Sequence, residues 1–184
     1  MRRGHVGKTV WQLVERARKI VPHIFLRTTF IVGHPGETEE AFQKLYDFIE
    51  QAQFDHVGVF TYSPEEGTHS ATIEGVVPAK EAERRELLRL QRKIAKKRRK
   101  LLHGTEIDVL VEGESEESEY LLQGRHAGQA PEIDGHVFLS LGESASELSL
   151  RPGDLVTARV TGSAEYDLAA EVLRVVQPAY RPPQ

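Results

Sequence analysis

The residues with the clearest capacity for chemistry form a short run, Gly33-His34-Pro35-Gly36, at the end of an apolar and β-branched stretch from Ile24 to Val32. Glycine reaches backbone angles closed to other residues, so two of them beside a strand end would let main chain approach a ligand. Other motifs are weaker. Gly7-Lys8-Thr9 has the ending of a phosphate-binding loop, but the pattern needs a glycine where Arg2 stands, and no strand precedes it. Without that cradle of amides, nucleotide hydrolysis has no support, and the lysine reads as a surface residue. Eight histidines are scattered without His-Glu-x-x-His or other ligand spacing, which marks them as surface or hydrogen-bonded residues. No serine sits in a Gly-x-Ser-x-Gly elbow, so hydrolase chemistry is unsupported. The 184 residues include no cysteine, so this chain alone can form no disulfide, thiolate metal site or cysteine nucleophile.

The elements that must position these residues follow from apolar spacing. Val10, Leu13, Val14, Ala17, Ile20 and Val21 recur at helical intervals behind Thr9, a candidate cap, and Pro22 ends the pattern. The run Ile24 to Val32, broken by Arg27, Thr28 and Thr29, predicts a strand covered on both faces. Glu37, Thr38, Glu39 and Glu40 supply the cap and first-turn acids of a second helix with Phe42, Leu45, Tyr46 and Ile49 inward. Phe54 to Tyr62 predicts another strand, stopped by Ser63-Pro64. Helix, strand, helix, strand is the rhythm of a parallel sheet with crossover helices, and a barrel wall is one candidate.

From Ala79 to His103 a long helix is expected, with Leu87, Leu90, Ile94 and Leu101 on one stripe and basic residues elsewhere. Those basic residues read either as a solvated face or as a docking surface for an acidic partner or a phosphate backbone. After Gly104 the pattern becomes five short alternating segments: Glu106 to Val111, Tyr120 to Arg125, Val137 to Leu141, Leu155 to Thr161 and Ala169 to Val176. They predict a small antiparallel barrel of the oligonucleotide-binding size class, because closure hides edges that would otherwise pair. The expected domains are thus 1–103 and 104–177, with 178–184 a disordered, proline-rich tail.

Charge is unevenly distributed. Residues 1–79 carry 8 basic and 10 acidic side chains, residues 80–103 carry 11 and 3, and residues 104–184 carry 5 and 15. Hydrophobic residues at 39% and charged residues at 28% are ordinary values, and no apolar run approaches the roughly 20 residues needed to span a bilayer. The basic start, Met1-Arg-Arg-Gly-His5, has no apolar stretch of the signal-peptide kind behind it, so a cytoplasmic location is expected.

Several stretches resemble one enzyme family. Leu26-Arg-Thr-Thr-Phe-Ile-Val-Gly-His-Pro-Gly-Glu-Thr-Glu-Glu40 and Asp55-His-Val-Gly-Val-Phe-Thr-Tyr-Ser-Pro-Glu-Glu-Gly-Thr68 are similar to late barrel segments of the radical S-adenosylmethionine methylthiotransferases. Met1 to His5 looks like a segment internal to that family, so the chain is expected to be a C-terminal portion lacking the preceding part. Residues 104–176 resemble the family's terminal TRAM barrel. Ala130-Pro-Glu-Ile-Asp-Gly135 and Glu165-Tyr-Asp-Leu168 look like the subtype that modifies an aspartate of a small-subunit ribosomal protein.

The resemblance implies a fold: the C-terminal part of a radical S-adenosylmethionine barrel, α/β and partial TIM-like, followed by a five-stranded TRAM barrel. It also implies S-adenosylmethionine and two iron–sulfur clusters in the complete enzyme. The chain departs from the family by lacking the Cys-x-x-x-Cys-x-x-Cys motif and the upstream cysteines, so by itself it is expected to be inactive. Gly33 and Gly36 would then border the S-adenosylmethionine pocket, since α/β barrels gather their sites at the C-terminal strand ends. Arg27 or Glu37 could hold the cofactor's carboxylate or amine, although both glycines could simply form the turn and Glu37 could simply cap the helix. The acidic barrel would repel RNA and attract a basic ribosomal protein, with Glu132, Asp134 and Asp167 as candidate contacts or as turn-forming acids without a partner. Two other readings are a tRNA methylthiotransferase that uses Lys96 to Lys100 on RNA, and a free-standing binding module without catalysis.

Overall fold

The computed structural model describes residues 7–180 except 74, 76, 78, 116, 117, 143, 144, 146, 147 and 165; the Met1 to His5 segment, Glu165 and residues 181–184 lie outside the described residues. Two compact units divide the chain, Met1–Ala95 and Lys96–Gln184. Among the described residues no helix is long and apolar enough to cross a membrane.

In the first unit, helix α1 spans Gly7–Ile20, so Thr9 lies within it instead of capping it. The inward stripe differs from the expected one. Val14 is buried and Trp11 packs edge-on against Phe48, whereas Leu13, Ile20 and Val21 are exposed. The cause is Arg18, whose guanidinium donates to the carbonyls of Ala52 and Gln53 and so draws its side of the helix inward. Those carbonyls belong to the end of α2, Glu39–Ala52, where the last four lack helical partners.

Strands β1, Arg27–Val32, and β2, His56–Thr61, form a parallel pair joined by α2. Both are shorter than the apolar runs suggest. Leu26 is spent on the connection: its N–H donates to Asp55 Oδ2 at 2.8 Å and its carbonyl accepts from Asp55 and His56 N–H. Only one face of the pair is covered. Val32, Val57 and Val59 are buried on it with Phe42, Ile49 and Phe54, and Phe30, Phe48 and Phe54 meet edge to face. Arg27, Thr29 and Ile31 are exposed, which corrects the expectation of a strand buried on both sides. Two strands cannot close a barrel around their second face.

Helix α3, Lys80–Leu101, sends Leu87, Leu90 and Ile94 into this core. Gln91 is buried beside them and donates to the carbonyls of Phe54 and Asp55 at 3.2 and 2.9 Å, which fastens the helix to the turn before β2. Leu101, expected on the same stripe, is 71% exposed, because the compact unit ends at Ala95 and the last turns of the helix run past its core.

The second unit is a closed five-stranded barrel: β3 Glu106–Ser115, β4 Ser118–His126, β5 Val137–Leu141, β6 Leu155–Ser163 and β7 Leu168–Gln177, in the order β3-β4-β5-β7-β6. The five strands and their closure match the expectation. One pairing does not: β5 and β7 run parallel, while the other pairs are antiparallel. A parallel neighbour needs a crossover, and here the intervening β6 and its flanking loops provide it. Inward residues include Val109, Val111, Val137, Leu139, Val156, Val160, Leu168 and Val172. Gly124 allows β3 and β4 to approach, since a Cβ there would overlap the Leu110 carbonyl oxygen. Asp154 is 2% exposed and accepts the N–H groups of Arg151 and Ala179 at 2.8 and 2.7 Å, which pins the segment after β7 against the loop before β6.

Candidate functional site

Parallel register places Arg27, Thr29 and Ile31 beside His56, Gly58 and Phe60, on the face of the β1–β2 pair opposite the core. Phe60 is 62% exposed. A Cβ at Gly58 would stand 3.2 Å from Thr29 Oγ1 and 3.9 Å from Phe60 Cε2, so glycine keeps the middle of this face shallow. The result is a surface with the exposed residue Arg27 at its start and apolar Ile31 and Phe60 toward its end.

At that end the chain turns through Gly33 and Gly36, with φ of +75° and +84°. The Glu37 carboxylate accepts the Gly33 N–H, and the Glu37 N–H donates to the His34 carbonyl at 2.9 Å. Thr38, not Glu37, caps α2: its Oγ1 accepts the Ala41 N–H at 3.2 Å. Glu37 therefore braces the glycine loop. His34 Nε2 lies 3.1 Å from Ser70 Oγ, and its ring stands 5.0 Å from that of Tyr62, so the loops following β1 and β2 are tied together. Gly33, Gly36 and Glu37 thus come together at the strand's C-terminal end. Arg27 does not join them: it begins the strand, about 20 Å away at the usual rise per residue.

Glu83 lies close to this loop in electrostatic terms. It is 7% exposed, its Oε2 has no hydrogen-bond partner, and burial raises its pKa, reinforced by the charges of Glu37, Glu39 and Glu86. Sequence reading passed over Glu83 because it sits among first-turn acids of α3, where carboxylates are ordinarily solvated. Thr29, His56, Gly58 and Phe60 were also missed. In β2 the alternation His56-Val57-Gly58-Val59 is a signal for two of them, whereas β1, Arg27-Thr28-Thr29-Phe30-Ile31-Val32, does not alternate.

The three acidic candidates of the barrel occupy two adjoining loops. Asp134 Oδ2 accepts the Ala130 N–H at 2.7 Å, and Asp167 Oδ1 accepts the His136 N–H at 2.8 Å. The Leu168 N–H returns to the His136 carbonyl at 2.9 Å. Asp134 and Asp167 are half-buried, and each holds loop backbone. Glu132 is exposed, with a left-handed φ of +60°.

The open sheet face suits a ligand with a flat apolar group, and the Arg27 guanidinium suits a carboxylate, so these features fit S-adenosylmethionine chemically. Iron–sulfur clusters do not fit. The chain has no cysteine, and among the described residues no group of three or more His, Cys, Asp or Glu could hold a metal ion.

Residues 104–173 match the TRAM domain family model. Over 94% of its length the chain is 50% identical to a protein named ribosomal protein uS12 methylthiotransferase RimO from Sorangium cellulosum, covering 35% of that protein. The protein of the same name from Koribacter versatilis is 45% identical over 94% of the chain and 34% of its own length. That from Aquifex aeolicus is 45% identical over 92% of the chain and 38% of its own length. The chain therefore spans only about a third of the curated relatives it matches. Across both of its units the chain is thus similar to the matching third of these methylthiotransferases, and its residues 104–173 carry the TRAM domain.

Proposed function

We propose that this chain supplies part of a radical S-adenosylmethionine methylthiotransferase that adds a methylthio group to the β-carbon of an aspartate in a basic small-subunit ribosomal protein, with the TRAM barrel binding that protein. When bound, S-adenosylmethionine and two iron–sulfur clusters would supply the radical and sulfur chemistry. Cysteines outside this chain must hold the clusters. Residues 1–103 would contribute barrel wall, with Gly33 and Gly36 bordering the cofactor and Glu37 holding their loop in shape. Arg27 would face the cofactor's carboxylate from the open sheet face, and residues 104–177 would form the substrate-binding module. The location that fits a ribosomal substrate is the cytoplasm.

One observation carries the choice of a protein substrate: residues 104–184 hold 15 acidic and 5 basic side chains. An RNA-binding surface needs cations to displace the counterions of phosphate, and this block offers the opposite sign. The basic run Lys96 to Lys100 favours a second reading, in which the substrate is a tRNA.

The test joins this chain to a cysteine-bearing N-terminal part and incubates the complete enzyme with uS12 and with tRNA. Mass spectrometry should find one methylthio group on a uS12 aspartate. Modification of tRNA with none on uS12 would overturn the assignment. In the same enzyme Arg27→Ala should weaken S-adenosylmethionine binding in equilibrium dialysis, and unchanged affinity would remove Arg27 from the pocket.

A further inference from the structure

Two apolar side chains stand exposed on the paired loops that carry the barrel's acidic candidates: Ile133 at 76% and Tyr166 at 52%. Exposed apolar residues are common singly, but these are presented by a framework that hydrogen bonds hold rigid. Besides the Asp134 and Asp167 bonds, Gln129 Nε2 donates to the Gly135 carbonyl, and the Ala164 N–H donates to the Asp167 carbonyl at 2.9 Å. Gly135 packs so closely on Tyr166 that a Cβ would overlap the Tyr166 carbonyl oxygen. Glu132, next to Ile133, holds a left-handed backbone that costs a residue with a side chain about 1–2 kcal/mol. Rigid loops that hold apolar side chains out in water lose little entropy when a partner covers them.

The charge around the platform selects the partner. Neither residues 126–150 nor residues 160–173 include a lysine or arginine, while Glu132, Asp134, Glu165 and Asp167 fall within them. Neither segment has a lysine or arginine of its own to offer a phosphate, whereas a lysine- or arginine-rich polypeptide would meet the exposed Glu132 next to Ile133.

We infer that Ile133 and Tyr166 are the anchors by which the barrel grips a basic polypeptide segment. Glu132 supplies rim charge, while Asp134 and Asp167 act as braces. This rests on the proposed protein substrate and deepens it: affinity comes from two apolar contacts at the centre, and the acids mainly guide encounter and exclude RNA.

The test measures binding of the 184-residue chain to purified uS12 and to polyuridylate across a salt series. Both anchors are exposed, so Ile133→Ser and Tyr166→Ser should leave the circular dichroism melt of the chain unchanged. Each should weaken uS12 binding about tenfold or more without altering its salt dependence. Glu132→Lys should weaken binding chiefly at low salt. If the double serine variant binds uS12 as the unsubstituted chain does while Glu132→Lys still weakens it, the anchors are wrong and the protein-substrate reading stands. If the chain binds polyuridylate and not uS12, both fall.

Discussion

Gly33→Ala should destabilise the first unit by about 3 kcal/mol, and Gly36→Ala by only about 1 kcal/mol, although both glycines have the same backbone hand. An alanine in the left-handed region costs about 1–2 kcal/mol, offset in part by the about 0.4–1 kcal/mol gained from stiffening the unfolded chain. That balance is all Gly36→Ala should show, since a Cβ there meets nothing within 4 Å. At Gly33 the new methyl would overlap Lys80 Cβ and lie 3.0 Å from Lys80 Cδ. Cβ is fixed to the backbone at the first residue of α3, and Lys80 is further tethered by its Nζ to the Tyr62 carbonyl at 3.2 Å, so it cannot swing aside. Overpacking of this kind adds about 1–3 kcal/mol. Trp11 is the single tryptophan and packs against Phe48 in this unit, so its fluorescence during urea unfolding reports the relevant transition. Equal midpoints for the two variants would show that α3 does not press on the Gly33 loop and would refute the reasoning.

Two further outcomes are expected. Asp154→Ala should cost the barrel about 3 kcal/mol, because a buried carboxylate that accepts two backbone N–H groups is lost; amide exchange at Ala179 should speed up, and retained protection there would contradict the clamp. For Glu83, the folded pKa is raised above the ordinary 4.5, so its contribution to stability is present below that value and lost as pH rises through the raised one. Glu83→Gln should therefore raise the urea midpoint near neutral pH and leave it little changed below 4.5, and a variant with the unaltered pH profile would sink this account.

The barrel was legible in the sequence because its strands alternate in hydrophobicity and are separated by glycine, proline or acidic turns, as at Pro131 and Gly153. The parallel β5–β7 pair was not, since register between distant strands leaves no local mark. On α1, Leu13 and Ile20 look like core by spacing alone, and only Arg18's reach to Ala52 and Gln53 shows which face turns inward. The open face of β1 was hidden for a similar reason: Ile31 and Phe60 extend the apolar runs of their strands although both are exposed. The glycine loop was legible as a turn, but the Glu37 brace depends on which carboxylate reaches Gly33, and four consecutive residues, Glu37 to Glu40, offered three acids. Asp134 and Asp167 read as surface charge because acids that hold a turn and acids that meet a partner have the same sequence signature.

The pairing of β7 with both β5 and β6 bears on how the protein is made. As the nascent chain leaves the ribosome, β3, β4 and β6 can zip together, and β5 can join β4, but the ring stays open between β5 and β6 until Leu168–Gln177 has been translated. A premature stop shortly before that strand would release a protein with nearly all its barrel residues and two bare hydrogen-bonding edges. Such edges template aggregation and mark a chain for degradation, so frameshifts in the first few codons of β7 should be as damaging to cellular protein levels as changes at the barrel's centre.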